Sequence, residues 1–199
     1  ATETELVGTF AAPDDTNSVE FHSAAYFLRY ADNMKVVRTT DANAKNAYDA
    51  DSAGAAPAVG NQTDWDAQES TLATAKHTFV AKYPGALGTG LTISVCPADE
   101  TTFNGWAYKS DFDTFPGTST AATAEGASND EVHVAVVDIN GNFGPKGGVL
   151  ETFPHVSLAS NAKTPDGSTN YILNVVNVGS AYVWMAGFGT AGTRFDADA

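Results

Sequence analysis

A valine-rich run that ends in an Asn-Gly pair constrains the fold of this chain more than any other feature. The run covers residues 131–139 and places valine at four of its nine positions, a pattern typical of a β-strand. Asn140-Gly141 follows at once, and Asn-Gly is a strong hairpin signal because both residues accept positive φ. Residues 149–153 can supply the partner strand. The sequence therefore predicts an antiparallel hairpin.

Other segments add helices and further strands to this hairpin. Residues 18–31 carry apolar side chains at helical spacing, which predicts a helix with an aromatic face turned inward. Residues 170–177 predict a second, short helix. β-branched and aromatic stretches bounded by turn residues predict further strands at 34–38, 78–82, 91–95 and 182–185.

Together these segments predict an α+β fold. We expect a mixed, mainly antiparallel β-sheet with a few packing helices and long irregular loops. The helix predicted at residues 18–31 would pack on one face of the sheet. The strands of this sheet would lie near Val36, Ile93, Val134 and Val183.

Two long stretches lack a sustained pattern. Residues 42–75 are rich in Ala, Asp, Asn, Gly and Ser, so little apolar burial could offset the entropy cost of ordering them. We expect a loop or an insertion there. Residues 97–129 predict an irregular excursion whose aromatic side chains pack against the body of the fold. These aromatic residues include Trp106, Tyr108, Phe112 and Phe115.

The charge balance argues against one large class of function. The chain has 24 acidic and 10 basic residues, and its net charge is −14. Such a surface repels phosphate groups, so we expect no direct nucleic-acid binding. No apolar run approaches the roughly 20 residues of a membrane-spanning helix, so we expect no membrane partner. The single cysteine, Cys96, excludes an internal disulfide and fits assembly in a cytoplasm.

Residues 138–142 resemble the opening of a calcium-binding loop, because hard cations favour clustered oxygen ligands. The sixth position, however, is Phe143 where glycine is required. The twelfth is Val149 where a bidentate glutamate is required. A hairpin turn explains the same residues through its preference for Asn-Gly, so we predict no metal site here.

The histidines and possible nucleophiles form no recognisable motif. No two histidines have the close spacing of a zinc site, and neither a serine nor Cys96 stands in a catalytic motif. His133 or His155 could contact a carboxylate in the fold and change charge near neutral pH. We predict no catalytic, cofactor-binding or metal-ligating residue. The histidines, each expected to be structural, are His22, His77, His133 and His155.

The residues alone leave two other functions open. Trp106, Tyr108 and Phe112 could form the aromatic platform of a carbohydrate-binding or adhesin-like β-rich module, although aromatic residues more often fill a core or an interface. Asp111 and Asp113 could serve a hydrolase, although an i, i+2 pair in a loop is poor support for one.

Short motifs along the chain carry a family resemblance. In the last third they are Val149-Leu150-Glu151-Thr152-Phe153, Ser157, Ser160-Asn161-Ala162-Lys163, Asp166-Gly167, Asn170-Tyr171, Val175-Val176-Asn177 and Ser180-Ala181-Tyr182-Val183. Residues 21–38 and 81–88 match in the same order. Together these motifs resemble the tail sheath proteins of T-even-like bacteriophages, and among them the cyanophage-like branch.

The resemblance implies a structural subunit of a contractile tail sheath and no enzyme or cofactor. The sheath surrounds the tail tube, and its contraction drives the tube through the host envelope. Residues 1–41 and 76–199 would form a discontinuous sheath middle domain. Residues 42–75 would be a loop or a reduced protruding-domain insertion.

The same resemblance implies partners and a location. The partners would be other copies of the sheath protein, with the tail tube and the baseplate contacted through parts outside this chain. The protein would be assembled in the host cytoplasm and located in the virion tail. The chain starts at Ala1 and not at a methionine, so we expect a piece of a longer protein that is monomeric on its own.

Overall fold

The structure, a computed structural model, describes residues 2–41, 43–49, 55–75 and 77–188. These residues form six α-helices and two three-stranded sheets, and the pairings between named strands are antiparallel. The predicted α+β class is therefore confirmed. In chain order the elements are α1 (Glu3–Phe10), α2 (Ser18–Leu28), β1 (Asn46–Tyr48), α3 (Gln62–Thr74), β2 (Phe79–Pro84), β3 (Leu91–Cys96), α4 (Glu100–Gly105), α5 (Thr120–Ala124), β4 (Glu131–Asp138), β5 (Gly148–Ser157), α6 (Ile172–Gly179) and β6 (Val183–Met185).

The two sheets share no strand. β2 lies between β1 and β6 in the first sheet, and β4 lies between β3 and β5 in the second. The prediction of a single sheet is therefore wrong, because Ile93 and Val134 belong to the second sheet and Val183 to the first. The predicted strand at 34–38 is also wrong, since those residues have no regular secondary structure.

The predicted hairpin is present, with a longer connection than Asn-Gly alone. β4 and β5 pair from Asp138 opposite Gly148 to Glu131 opposite Ser157. Residues 139–147 connect the two strands, and Gly141 adopts the positive φ of +79° that its turn requires. The other predicted strands correspond to β2, β3 and β6, and the predicted short helix corresponds to α6.

The two sheets and α6 enclose the main hydrophobic core. Ile172 and Val176 of α6 are fully buried there among side chains of both sheets. Val132, Val134 and Val136 alternate along β4 towards this core because successive side chains of a strand face opposite ways. The sheet residues of the core are Phe79, Val132, Val134, Val136, Phe153, Val156, Val183 and Met185.

The opposite face of each sheet is covered as well. α3 covers the first sheet, where Trp65 stacks on Trp184 with ring centroids 5.1 Å apart and an interplanar angle of 8°. α4 and the turn after it cover the second sheet, where Phe103 and Trp106 pack near Ala135. Because both faces of β4 are covered, its valine-rich run carries few polar residues, as in strands buried on both sides.

The segment 42–75 is more ordered than its composition predicts. It contains β1 and the 13-residue helix α3, so the expectation of a loop is wrong for this part. Asn61 caps α3 by accepting a hydrogen bond from the Asp64 N–H, and Trp65 and Leu72 anchor the helix on the first sheet. Residues 42 and 50–54 of the segment lie outside the described residues.

α1 and α2 form a helical pair beside the sheets, held by a small cluster of Leu6, Phe21 and Ala25. The helix predicted at residues 18–31 corresponds to α2. The prediction that this helix packs on a sheet is wrong, because α2 packs on α1. Hydrogen bonds join the pair and its flanking residues to the sheets and the segments next to them. They include Ala12 N–H to Asn142 O, Tyr182 O–H to Gly8 O and Arg38 Nη2 to Pro84 O. Within the described ranges no helix combines the length and the apolarity that crossing a membrane requires.

Candidate interaction surface

The aromatic cluster considered as a carbohydrate platform lies largely inside the fold. Trp106 and Phe112 are buried against Cys96 and Phe103, and the Trp106 Nε1–H donates to Ser94 Oγ at 2.8 Å. Tyr108 is half-buried at the edge of the same cluster. These rings cover one face of the second sheet, so they cannot present the open stacking face that a sugar ring needs.

The buried Asp138 carboxylate organises the connection between β4 and β5. It accepts hydrogen bonds from the backbone N–H groups of Gly141, Phe143 and Gly144 at 2.8, 2.6 and 3.2 Å. The Gly147 N–H closes the connection on the Asp138 carbonyl at 2.7 Å. Asp138 thus shapes the loop through its backbone amides, which agrees with the hairpin interpretation of residues 138–142.

Two histidines meet at a bulge between β4 and β5. His133 and His155 have ring centroids 4.6 Å apart, where the strand register shifts between Val132 and Val134. His155 Nδ1 lies 3.3 Å from Glu131 Oε2, which confirms the prediction that one of these histidines contacts a carboxylate. His155 adopts a φ of +52°, a conformation that non-glycine residues rarely take.

Buried His133 connects the bulge to the segment before α5. Its Nε2 lies 2.7 Å from Thr114 O, and its Nδ1 accepts the His155 N–H at 3.0 Å. Because Nδ1 accepts, the ring is neutral with its proton on Nε2. Burial lowers the pKa of His133, and nearby His155 lowers it further, against an opposing effect of the Thr114 bond.

An open groove of about 780 Å³ lies beside this bulge and is lined by polar residues that include Glu131, His155, Asn161 and Lys163. The remaining candidates lie apart from it. Asp111 and Asp113 are exposed, as is His22 on α2, while His77 is buried against the Tyr48 ring.

Cys96 is fully buried at the end of β3, and burial raises the pKa of its thiol to about 11. A thiol in that state supplies little thiolate near neutral pH, so Cys96 is poorly suited to act as a nucleophile.

Within the described residues, α2 carries an exposed apolar surface. The side chains of Val19, Tyr26 and Tyr30 are 72%, 60% and 92% exposed. Tyr30 lies just after the end of α2. Its N–H still donates to Phe27 O, so the chain continues in a helical turn as far as Tyr30. We call these three residues the α2 outer face. The predicted inward aromatic face is therefore wrong, because Phe21, Ala25 and Leu28 face α1 instead.

One basic side chain contacts the α2 outer face, and a groove lies beside α2. The Arg29 guanidinium lies 5.1 Å from the centre of the Tyr26 ring, and Lys35 is exposed nearby in the sequence. A groove of about 700 Å³ runs between the helical pair and the sheets, with Phe21, Val36 and Val37 among its lining residues. The sequence contains a signal for this surface, because the apolar residues of α2 fall on two opposite sides of the helix.

Comparison with known proteins relates this chain to the tail sheath proteins of bacteriophages. The tail sheath protein of Salmonella phage ViI is 29% identical over 160 residues, which are 80% of this chain and 22% of that protein. The chain thus spans about a fifth of the length of its relative. No family model matches the chain, and no solved structure matches it.

Proposed function

We propose that this chain is part of a structural subunit of a contractile phage tail sheath. The observation that carries the proposal is the similarity to a tail sheath protein along 80% of the chain. An exposed apolar surface on an otherwise acidic molecule supports it, since such surfaces mark sites of protein association.

In this proposal the partners are other copies of the sheath protein, together with the tail tube and the baseplate through parts outside this chain. The location is the virion tail, after assembly in the host cytoplasm, and the branch is the cyanophage-like one. Residues 1–41 and 76–199 form a discontinuous sheath domain. Residues 42–75 are an insertion that packs back on the first sheet through Trp65.

A sheath of this kind works through packing and needs no active site. Its subunits can occupy two arrangements of different free energy, and a trigger releases them from the less stable one. Contraction then drives the tube through the host envelope. The buried polar groups described above fit this role, because Asp138 and His133 bond to backbone atoms that shape loops.

The carbohydrate-binding alternative is not favoured. It requires an open aromatic platform, and Trp106 and Phe112 are buried in the cluster that covers the second sheet.

Electron microscopy of the whole protein tests the proposal. The full gene that encodes this chain is expressed, and the product is examined by negative staining for tubular polymers of stacked rings. In parallel, tails purified from the phage are digested and searched for peptides of this chain by mass spectrometry. We expect polymers and tail-borne peptides. Absence of these peptides from purified tails would overturn the proposal.

A further inference from the structure

We infer that a small pocket between the helical pair and the first sheet binds one small oxyanion of the phosphate type. The pocket has a volume of about 200 Å³, and Arg38 and Lys82 are among its lining residues. It shares no lining residue with the groove beside the bulge between β4 and β5. The inference goes beyond the proposed function and does not depend on it.

The charge of the pocket is opposite to that of the molecule. The described residues that line it include two cations and no carboxylate, although the chain has 24 acidic and 10 basic residues. The two larger grooves differ, because Glu131 lines the one beside the bulge, and Asp14 and Glu20 line the one beside α2. A concave site lined by charges of one sign concentrates ions of the other sign. The pocket therefore attracts an anion on a molecule whose net charge repels anions.

Both cations keep hydrogen-bond donors that an anion can use. Arg38 Nη2 donates to Pro84 O at 2.8 Å, and Lys82 Nζ donates to Ser180 O at 2.6 Å. Each of these is the one hydrogen bond that the charged group makes to the described residues. A guanidinium carries five N–H donors and an ammonium three, so most donors of each group remain available.

Both cations are also partly withdrawn from water. Burial lowers the pKa of the Arg38 guanidinium and that of the Lys82 ammonium. Tyr83 opposes this effect at Arg38, and Glu151 opposes it at Lys82. The Glu151 carboxylate is itself engaged, since it accepts from the Ser180 hydroxyl at 2.6 Å. The ion pairs of the described residues include neither cation, so a bound anion would replace hydration that burial removes.

The size of the pocket selects the class of ligand. Sites for drug-sized molecules occupy about 300–1,000 Å³, so a pocket of about 200 Å³ suits a small ion and not a nucleic-acid chain. Arginine recognises phosphate oxygens through paired N–H donors, and lysine adds a point charge. Thr9 and Thr40 also line the pocket, and their hydroxyl groups can donate to further oxygens. A tetrahedral oxyanion offers acceptors in these several directions.

A bound anion would connect two parts of the fold. Thr9 lies in α1 and Arg38 follows α2, whereas Lys82 lies in β2 of the first sheet. A ligand that binds the folded chain and not the unfolded chain raises its stability. We therefore expect the anion to slow amide hydrogen exchange in α1 and at residues 34–40, where local opening would separate the helical pair from the sheet.

A titration with inorganic phosphate tests the inference on the 199-residue chain. Amide spectra of ¹⁵N-labelled protein are recorded up to about 20 mM phosphate at constant ionic strength, because salt screens charges. We expect saturable shifts centred on residues 9–10, 38–40 and 82–84, with a dissociation constant of about 1 mM. Sulfate should give the same pattern. Acetate and chloride should bind about tenfold more weakly or less, because they offer fewer acceptor oxygens.

A nucleotide separates a free anion from a larger phosphate ligand. Adenosine monophosphate should bind no more tightly than inorganic phosphate, because the pocket has no room for a base and a sugar.

Two variants with matched controls locate the site. Arg38→Met and Lys82→Met each remove one pocket cation, and each should weaken phosphate binding by about tenfold or more. Arg29→Met and Lys35→Met remove exposed cations that do not line the pocket, and they should leave the binding unchanged. Unchanged amide shifts of β4 and β5 without phosphate establish that each variant is folded. The shifts mapped in the unmodified chain decide the matter where a variant does not fold.

Several outcomes would overturn the inference. They are the absence of saturable shifts up to about 20 mM phosphate, shifts centred away from the pocket, and equal weakening by the control variants. Acetate binding as tight as phosphate binding would contradict the class of ligand, and so would tighter binding of adenosine monophosphate. The proposed function is decided separately, by the presence of the chain in purified tails.

Discussion

At the scale of single residues, buried polar side chains in this protein hold loops in place. Asn46 donates to Val59 O and Ala81 O and accepts from the Val59 N–H, so one amide side chain joins three segments. Asp130 accepts from the Ser119 N–H and from the Ser157 hydroxyl. Burial raises the pKa of Asp130, but these hydrogen bonds outweigh it and leave the pKa below its ordinary value.

The first prediction concerns His133 and pH. Its pKa is lowered in the folded state, so the unfolded chain takes up a proton first as the pH falls below about 6.5. Stability contributed by the neutral ring is therefore present above that pH and is lost as the pH falls towards the folded pKa. We expect His133→Phe to lower the free energy of unfolding by about 1–3 kcal/mol at pH 7.5, because Thr114 O and the His155 N–H lose their partner.

The same variant should also show a shallower loss of stability between pH 6.5 and 5, measured by urea unfolding at several pH values. His22→Gln on the exposed side of α2 is the control for removing a histidine. An unchanged pH profile in His133→Phe would contradict the assignment.

At the scale of elements, α3 shows how a short apolar signal can anchor a helix. Trp65 and Leu72 are seven residues apart and lie on one side of α3. Their partners, Val80 and Trp184, belong to β2 and β6. Two large side chains that are buried against apolar residues of the first sheet are therefore enough to anchor a helix whose remaining residues are mostly polar.

The second prediction follows from the stacked pair. Trp65 is 1% exposed, so we expect Trp65→Ala to reduce the free energy of unfolding by about 3–5 kcal/mol, through lost burial and a residual cavity. Urea unfolding followed by circular dichroism measures the change. Tyr30→Ala, which truncates an exposed aromatic residue, should cost less than about 0.5 kcal/mol. Equal losses in the two variants would show that α3 contributes little to the fold.

The sequence predicted elements well where the signal was local. The hairpin, β2, β3, β6 and α6 follow from alternation or helical spacing within about ten residues. The orientation of α2 did not follow, because both of its sides are apolar and only the contact with Leu6 decides which side is covered. The separation into two sheets depends on pairings between segments far apart in sequence, such as Phe79 with Met185.

The candidate interaction surface, too, is only partly predictable from the sequence. The sequence predicts only that His133 or His155 could contact a carboxylate. That His155 contacts Glu131 depends on the pairing of β4 with β5. The exposed α2 outer face was not foreseen, since helical spacing indicates an apolar side but not what covers it.

At the scale of the whole molecule, the described residues form stacked layers with a helical pair beside them. α3, the first sheet, the main core with α6, the second sheet and α4 follow one another, and each sheet is covered on both faces. The helical pair has a small apolar cluster of its own, separate from the clusters of the layers. The described part of the chain therefore has a core of its own that can support folding without neighbours.

The third prediction is that the isolated chain is monomeric when dilute. Its net charge of −14 repels other copies at long range, so we expect no stable association at about 10 μM. Size-exclusion chromatography with light scattering should report a mass near 20.7 kDa. A stable ring or dimer under these conditions would contradict the charge argument.

The burial of Cys96 has a practical consequence for labelling this chain. Its thiol is fully buried and its pKa is about 11, so it reacts poorly with maleimide reagents near neutral pH. The chain therefore needs no cysteine-free background before labelling. Cysteines introduced at exposed positions such as Tyr30 and Val178 would each take a fluorophore while Cys96 stays unlabelled, and energy transfer between the two labels would then report how α2 and α6 move relative to each other.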